Sequence, residues 1–480
     1  MTLDSGICYR ALRARDARFD GRFFVAVSST RIYCRPICTV KPPKRENCRF
    51  FASAAAAESN GYRPCLRCRP ELAPGNASVD ATTRLAQAAA TMLEDRAGDE
   101  EGLGAVAARL GVTDRHLRRA FGAEFGVSPV EFAQTQRLLL AKRLLTDTAL
   151  PVTEVAFASG FGSIRRFNSL FKQRYRLKPT SLRRTHGAAG ADTLAFELSF
   201  RPPFDWPAVS AFLGARAIAG VEQLEDGCYR RTVRIATDGK ERCGWISVEM
   251  STKKPTLRVA VSASLVKVLP PVLSRVKSLM DLACNPAEVA QALGALARRH
   301  PGLRVPGAFD GFEIAVRAIL GQQVSVSAAR TVAGRFAAAF GDPVTTPFAS
   351  LTTLFPTAAR VAGLRPDRIA RLGMPGARAR SLIALARAIA DGRLVLMPNA
   401  DVEATLAALR ALPGVGEWTA QYVAMRALSW PDAFPHTDLG VMKALGETDA
   451  RRVLAAGEAW QPWRAYAVMH LWQSLAKEQR

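Results

Sequence analysis

Two pairs of cysteines, Cys34 and Cys38 in IYCRPICTV and Cys65 and Cys68 in RPCLRC, stand close within each pair, with a loop's length of chain between the pairs. That layout can bring four thiolates to one tetrahedral Zn2+ at about 2.3 Å each. Such a site does one of two jobs. It replaces the core that so short a segment cannot build, or it keeps a sulfur deprotonated and reactive at neutral pH. Far downstream, LRALPGVGEWTAQYVAMRAL sets Pro413, Gly414 and Gly416 in a tight turn between helices, where backbone N–H groups can face a phosphate. Asp438, in FPHTDLGVMKAL, begins a further helix. A carboxylate there either caps the helix or faces a site.

The elements that must hold these groups change in texture along the chain. Residues 1–78 carry the cysteines and close with RPELAPGNAS, a linker by its Pro, Gly, Asn and Ser, with the boundary near 75 to 80. Residues 82–186 turn helical, with apolar residues at 3.6-residue spacing. There GAVAARLGVTDRHLRRAFGAEFGVSP reads as a helix, a turn at Gly111 and Val112, an N-cap at Thr113 and a second helix. The stretch VTEVAFASGFGSIRRFNSLFKQRYRLKPTSLR repeats the plan, turning around Gly160 to Gly162 and starting its second helix near Ser163. Arg115, His116, Arg118 and Arg119 fall on the exposed face of one second helix, and Ser163, Arg165, Arg166 and Asn168 on the other. Leu117, Phe121, Phe167 and Phe171 face inward. The pair is either an ordinary helical packing unit with a basic face or two helices for successive major-groove turns. Residues 192–300 hold the short β-type runs TLAFELSF, CYRRTVRIA, GWISVEM and TLRVAVSA, and residues 301–480 are alanine-rich amphipathic helices broken by Gly and Pro. The fold class is multidomain, mainly α with α+β parts.

At 480 residues the chain is too long for one core. Its 66 Lys and Arg against 42 Asp and Glu leave a formal charge of +24, spread along the chain, and the partner such a charge favours is nucleic acid. No apolar run is long enough to span a bilayer, and MTLDSGICYR lacks the layout of a signal peptide, so the expected location is cytoplasmic, with no membrane partner. Of nine cysteines, five lie between positions 34 and 68, which in a reducing compartment points to metal rather than disulfides. Cys48, the fifth of that group, reads as a small core residue.

IYCRPICTV, KRENCRFF and GYRPCLRCRPE closely resemble the amino-terminal domain of the Ada DNA repair and response proteins. GFGSIRRFNSLFKQRYRLKPTSLR is similar to the signature of AraC-type regulators, the module that follows the zinc domain in Ada proteins. The resemblance implies that Cys34 is both zinc ligand and nucleophile, taking a methyl group from a methylphosphotriester in the DNA backbone, with Arg35, Arg45 and Arg67 bringing phosphate to it. Four thiolates on Zn2+ carry a net charge of −2 and a methylated set −1, so repulsion from DNA drops after transfer. The resemblance further implies that this step converts the protein into a tighter, sequence-specific binder of promoter DNA, with RNA polymerase as a further partner.

The hairpin followed by Asp438 resembles the pattern of helix-hairpin-helix DNA glycosylases, and PPFDWPAVSAFLGARA, AVRAILGQQVSV and WQPWRAYAVMHLW look like the AlkA 3-methyladenine glycosylases, over about 194 to 480. This implies an AlkA-like α+β subdomain before an all-helical glycosylase domain that hydrolyses the N-glycosidic bond of alkylated purines in double-stranded DNA. Asp438 would stabilise the developing sugar cation. Trp418, Tyr422, Trp472 and Phe212 would stack a cationic base, each contact worth roughly 0.5 to 2 kcal/mol, with Arg216 nearby and Gln323 filling the gap in the duplex. Each aromatic has core packing as its plainer role. Trp418 stands where lyase-type relatives carry lysine, so a monofunctional enzyme without a Schiff base is expected. No cysteine follows Cys284, which excludes an iron–sulfur cluster. There is no Pro-Cys-His-Arg stretch, so O6-methylguanine is not expected as a substrate. The rival reading is a transcription regulator whose glycosylase domain is inactive.

Overall fold

The computed structural model describes residues 4–74, 81–95, 103–182, 192–237, 239–398 and 400–478. The expected linker beyond Pro74 and the stretch 183–191 lie outside the described residues.

In the amino-terminal domain, helix α1 (Ser5–Ala14) starts at an Asp4 cap that accepts from the Ile7 amide at 2.7 Å. Strands β1 (Phe24–Val27), β2 (Ile32–Cys34), β3 (Cys48–Phe51) and β4 (Arg63–Pro64), none of them expected from the sequence, form a sheet in the order β3-β1-β2-β4. Helix α2 (Ala54–Ser59) covers it. The one parallel pairing matters most: β2 and β4 run side by side with Tyr33 opposite Pro64, so Cys34 and Cys65 leave the sheet at the same end. Cys48, expected inside a core, sits half-buried at the rim of a cluster around Cys8 and Phe23, its thiol donating to the Lys44 carbonyl at 3.3 Å.

Six helices follow: α3 (Ala81–Asp95), α4 (Leu103–Arg109), α5 (Asp114–Phe125), α6 (Pro129–Asp147), α7 (Val152–Ala158) and α8 (Ile164–Tyr175). The caps fall where the sequence puts them. Thr113 accepts from the His116 amide at 3.2 Å to start α5, and Ser163 accepts from the Arg166 amide at 3.4 Å to start α8. Gly111 and Gly160, with φ of 67° and 80°, make the left-handed turns before them. Helix α6, opened by a Ser128–Glu131 capping box, is buried on several faces at once. Phe132 joins the core of the first helix-turn-helix, Leu139 packs on the amino-terminal domain, and Leu138, Leu144 and Leu145 join the second helix-turn-helix.

Strands β5 (Thr193–Ser199), β6 (Glu222–Glu225), β7 (Cys228–Thr237), β8 (Lys240–Met250) and β9 (Thr256–Ser262) form an antiparallel sheet in the order β5-β9-β8-β7-β6. Only β6 escaped the sequence reading. Phe167, Phe171 and Tyr175 of α8 share one apolar cluster with Val233, Val248 and Val259 of this sheet, so the helix-turn-helix and sheet regions do not keep separate cores.

The rest is mostly helical, broken by a short antiparallel strand pair, Asp342–Pro343 with Thr353–Leu354. Its main helices are α9 (Trp206–Ala215), α10 (Leu269–Leu279), α11 (Pro286–Leu293), α12 (Gly311–Leu320), α13 (Val326–Phe340), α14 (Gly376–Ala390), α15 (Val402–Arg410), α16 (Glu417–Arg426), α17 (Leu439–Leu445), α18 (Ala450–Gly457) and α19 (Arg464–Glu478). Helix α12, buried from Phe312 to Leu320 except at Arg317, is the axis around which α13, α14 and α16 pack. Among the described residues no helix is long and apolar enough to cross a membrane.

Candidate active sites

The parallel β2–β4 pairing gathers the four cysteines. The Sγ atoms of Cys34, Cys38, Cys65 and Cys68 all lie within 4.8 Å of one another, and a tetrahedron of 2.3 Å bonds has edges of about 3.8 Å. Backbone amides reinforce the set, Arg35 N–H to the Cys68 sulfur at 3.3 Å and Arg67 N–H to the Cys65 sulfur at 3.4 Å. Donors aimed at sulfur stabilise thiolates, so the donor set fits a bound metal ion. By exposure the four differ little in favour of Cys34: it, Cys38 and Cys65 are buried and Cys68 is the more open.

Of the three arginines expected near this cluster, Arg45 and Arg67 are exposed. Arg35 is not. Its Nε donates to Asp20 at 2.8 Å and its Nη1 to the Cys68 carbonyl at 3.2 Å, both inside the domain. A guanidinium spent on a buried carboxylate is not offered to phosphate, so Arg35 braces the cluster instead of reading DNA. No local pattern around Arg35 hints at this, because Asp20 lies fifteen residues away.

On the helix-turn-helix pair, Arg115, His116, Arg118 and Arg119 of α5 are exposed, as are Ser163, Arg165, Arg166 and Asn168 around α8. Arg118 also reaches back to Asp114 at 3.1 Å. Ser163, Arg165 and Arg166 line one shallow depression of 450 Å³ with Gln134 and Gln173.

The second centre is a cleft of 1390 Å³ walled by α12, α16, α17 and α19. Asp438 caps α17 and lines the cleft, so the two roles weighed for it coincide in one residue. Its Oδ1 accepts from the Val441 amide at 2.9 Å and from Trp472 Nε1 at 2.8 Å; its Oδ2 accepts from Trp418 Nε1 at 2.8 Å. Both indoles are therefore oriented by the carboxylate they flank. Gly440 makes room: a Cβ there would stand 3.0 Å from both Asp438 Oδ1 and Trp472 Cδ1. Trp418 stacks on Tyr422 at 5.4 Å, and Trp472 faces Phe212 at 6.2 Å and 14°. Phe212 lies behind that wall, not on it. Gln323 sits exposed at the cleft mouth with φ of 56°, on the turn leaving α12. Its neighbour Gln322 ties that turn to the hairpin, donating to the Gly414 carbonyl at 2.9 Å and to Thr419 Oγ1 at 2.8 Å. Pro413, Gly414 and Gly416 are exposed at the hairpin, Gly414 with φ of 74°.

The cleft is not a bare aromatic box. Arg216 lies on Phe212, with Cζ 3.8 Å from the ring centroid, and burial lowers its pKa. Arg426, absent from the sequence reading, is buried and donates from Nη1 to the Tyr422 hydroxyl at 2.8 Å. Its signal was the four-residue step from Tyr422, which puts both on one helix face. Burial pushes the Tyr422 phenol up, but Arg426, Arg216 and Arg317 together outweigh it and hold the group below its ordinary value.

Family models match the chain in four consecutive stretches: metal binding domain of Ada over 7–71, helix-turn-helix domain over 106–185, AlkA N-terminal domain over 195–310, and HhH-GPD superfamily base excision DNA repair protein over 316–452. Fold and sites thus define a class, a helix-hairpin-helix base excision repair domain joined to an Ada-type metal-binding domain and a helix-turn-helix. The chain is 40% identical over 484 residues to the "Probable bifunctional transcriptional activator/DNA repair enzyme AlkA" of Mycobacterium tuberculosis, covering 98% of this chain and 96% of that protein, and it belongs to that family. It is also 37% identical over 277 residues to DNA-3-methyladenine glycosylase 2 of Escherichia coli, 58% of this chain and 96% of that one. Over 177 residues it is 30% identical to the bifunctional transcriptional activator/DNA repair enzyme AdaA of Bacillus subtilis, 36% of this chain and 81% of that one.

Proposed function

We propose that the chain is a repair enzyme and a damage-responsive regulator in one molecule. Its glycosylase half hydrolyses the N-glycosidic bond of alkylated purines of the 3-methyladenine type in double-stranded DNA, and its amino-terminal domain takes a methyl group from DNA methylphosphotriesters onto Cys34. The observation that carries the glycosylase reading is Asp438, a carboxylate fixed by three neutral donors at the wall of a cleft large enough for a flipped base.

Alkylation at N3 or N7 makes the purine cationic and its bond to C1′ weak. As that bond breaks, the electron pair goes to the base and positive charge builds on the sugar. Asp438 meets that charge with no reorganisation, because Val441, Trp418 and Trp472 already hold both oxygens in place. Three of its roughly four acceptor positions are taken, which leaves room to orient one water toward C1′. Hairpin amides around Gly414 and Gly416 would grip the backbone phosphate, and Gln323 would occupy the vacated stack.

In the amino-terminal domain Cys34, Cys38, Cys65 and Cys68 would hold Zn2+, which keeps sulfur deprotonated at neutral pH. The Cys34 sulfur forms a bond to the methyl carbon, the CH3–O bond breaks, and a phosphodiester anion leaves. Arg45 and Arg67 are the exposed cations at hand to position the triester. The choice of Cys34 rests on its place as first cysteine of the motif. One negative charge is lost from the cluster, so DNA is repelled less, and α5 and α8 would then read promoter DNA, where RNA polymerase is the partner of an activator. Release of free 3-methyladenine from methylated duplex DNA, abolished by Asp438→Asn, tests the first activity. An intact wild-type protein that releases no base would leave only the regulator with an inactive glycosylase domain.

A further inference from the structure

The charges that line the cleft do not match a site built solely for a cationic base. Four of them cancel: Arg231 and Arg317 pair with Glu222 and Glu313, with contacts of 2.6 Å from each arginine to Glu313. Glu417 is paired with Arg410. Arg216, Arg330 and Arg426 have no carboxylate partner among the described residues; Arg330 is exposed on α13, whereas Arg216 and Arg426 lie against the aromatic residues. Arg426 spends its donors on the Pro306 carbonyl, on the Gly307 carbonyl at 3.2 Å and on the Tyr422 hydroxyl at 2.8 Å. Arg216 donates to its own helix, to the Phe212 carbonyl at 3.3 Å. Two guanidiniums therefore lie against the aromatic residues near the single carboxylate Asp438, and Phe212, behind the wall, already carries both of them, Arg216 at 3.8 Å and Arg426 at 4.9 Å from its centroid.

A phenol oxygen that accepts from Arg426 keeps its own hydrogen to give, and because Tyr422 lines the cleft that hydrogen is available to a base bound there. The geometry points to Tyr422, backed by Arg426 and Arg216, as a leaving-group site that stabilises negative charge on the departing base, and so sets how well the enzyme removes damaged purines that are uncharged in the strand. The inference rests on the glycosylase reading above. When the C1′–N bond of a neutral purine breaks, the electron pair leaves an anionic base. The Tyr422 O–H donates to it, water adds its oxygen to C1′, and the proton that water releases neutralises the base. A cationic purine leaves as a neutral molecule and draws nothing from these groups. Removing them therefore affects the two kinds of substrate unequally, which loss of a merely structural contact would not do.

The test uses the full-length protein on two otherwise identical duplexes, one carrying a single hypoxanthine and the other a single 7-methylguanine. Tyr422→Phe and Arg426→Met should lower kcat/KM on hypoxanthine at least tenfold more than on 7-methylguanine, whose rate should hold or rise. Tyr422→Phe keeps the ring and so answers even if Arg426→Met fails to fold. Equal losses on both duplexes, or a loss confined to 7-methylguanine, would overturn the inference, as would a wild-type protein that excises 7-methylguanine but leaves hypoxanthine untouched. Failure of the wild type on both, or activity indifferent to Asp438→Asn, would instead sink the glycosylase reading itself.

Discussion

The sulfur centre and the carboxylate centre are held in place by opposite means. Around Asp438 the support is apolar: one large cluster takes in α12, α14, α16 and α19, and the site is the place where that cluster opens. Around Cys34 the apolar clusters are small, and much of the anchoring is polar and crosses to other parts of the chain. Lys142 of α6 meets Glu71 at 2.6 Å with both side chains buried, Arg69 meets Asp147 at 2.7 Å, and Glu58 of α2 is shared by Tyr33, Thr135 and Tyr175. The carboxylate site sits where a large apolar cluster supports it. The cysteine site is wired, through α6 and α8, to the helices that carry the exposed basic face.

Single substitutions should separate the centres completely. Asp438→Asn should cut base release by about a thousandfold or more, on the order of 4 kcal/mol of transition-state stabilisation, and leave methyl uptake from methylphosphotriester DNA intact. Cys34→Ala should do the reverse, read by mass spectrometry of the cysteine peptides. A methyl group found on Cys68 would reassign the acceptor to the more open sulfur. Chelation should tell the domains apart by stability. Structural zinc in small modules contributes about 10 to 16 kcal/mol of apparent folding energy, so a strong chelator should abolish methyl uptake and expose residues 4–74 to protease while base release stays within about twofold. Equal loss of both activities would mean that the glycosylase domain leans on the metal-bound domain.

Gly440→Ala probes how finely the carboxylate is set. Its Cβ would need the Asp438 oxygen and the Trp472 ring, each 3.0 Å away, to retreat by a few tenths of an ångström. Both are fixed by the hydrogen bond between them, and displacement of a catalytic group by a fraction of an ångström loses rate steeply. About ten- to a hundredfold lower kcat in base release is expected, with the cysteine centre untouched; an unchanged kcat would show that the carboxylate tolerates looser placement.

What could be read from the sequence was local. The cysteine spacing, the caps at Thr113 and Ser163 and four of the five strands of the larger sheet depend on residues within a few positions of one another. Trp418, Tyr422, Trp472 and Asp438 meet in one cleft because each sits on an element whose register the helical pattern already set. The failures were long-range. Arg35 looked like a phosphate contact because nothing near it in the chain announces Asp20, and Glu58 did not stand out at all. Burial of a charge is decided by partners from other elements, and pattern alone does not reveal them. The amino-terminal strands were missed for a related reason: two- to four-residue strands are too short to show alternation.

Glu58 supplies the smallest effect and the one that tests the wiring. Its carboxyl is buried between Tyr33, adjacent to Cys34, and Tyr175 at the end of α8, with hydrogen bonds at 2.9 and 3.2 Å and Thr135 of α6 at 3.2 Å. Burial pushes its pKa up to about 7, against the opposing pull of those hydroxyl donors and of Arg174. A carboxyl whose folded pKa is raised favours the folded state while it is protonated, so its contribution is greatest below the ordinary carboxyl value and is lost as pH climbs through about 7. Between about pH 6 and pH 8 the junction of the amino-terminal domain with α6 and α8 should weaken by about 1 kcal/mol. In Glu58→Gln, which cannot ionise, that slope should vanish. Hydrogen exchange in α2 and α8 measured at both pH values reads it directly. A slope that survives the substitution would move the titration to another group and cut the proposed link between the methyl acceptor and the second helix-turn-helix.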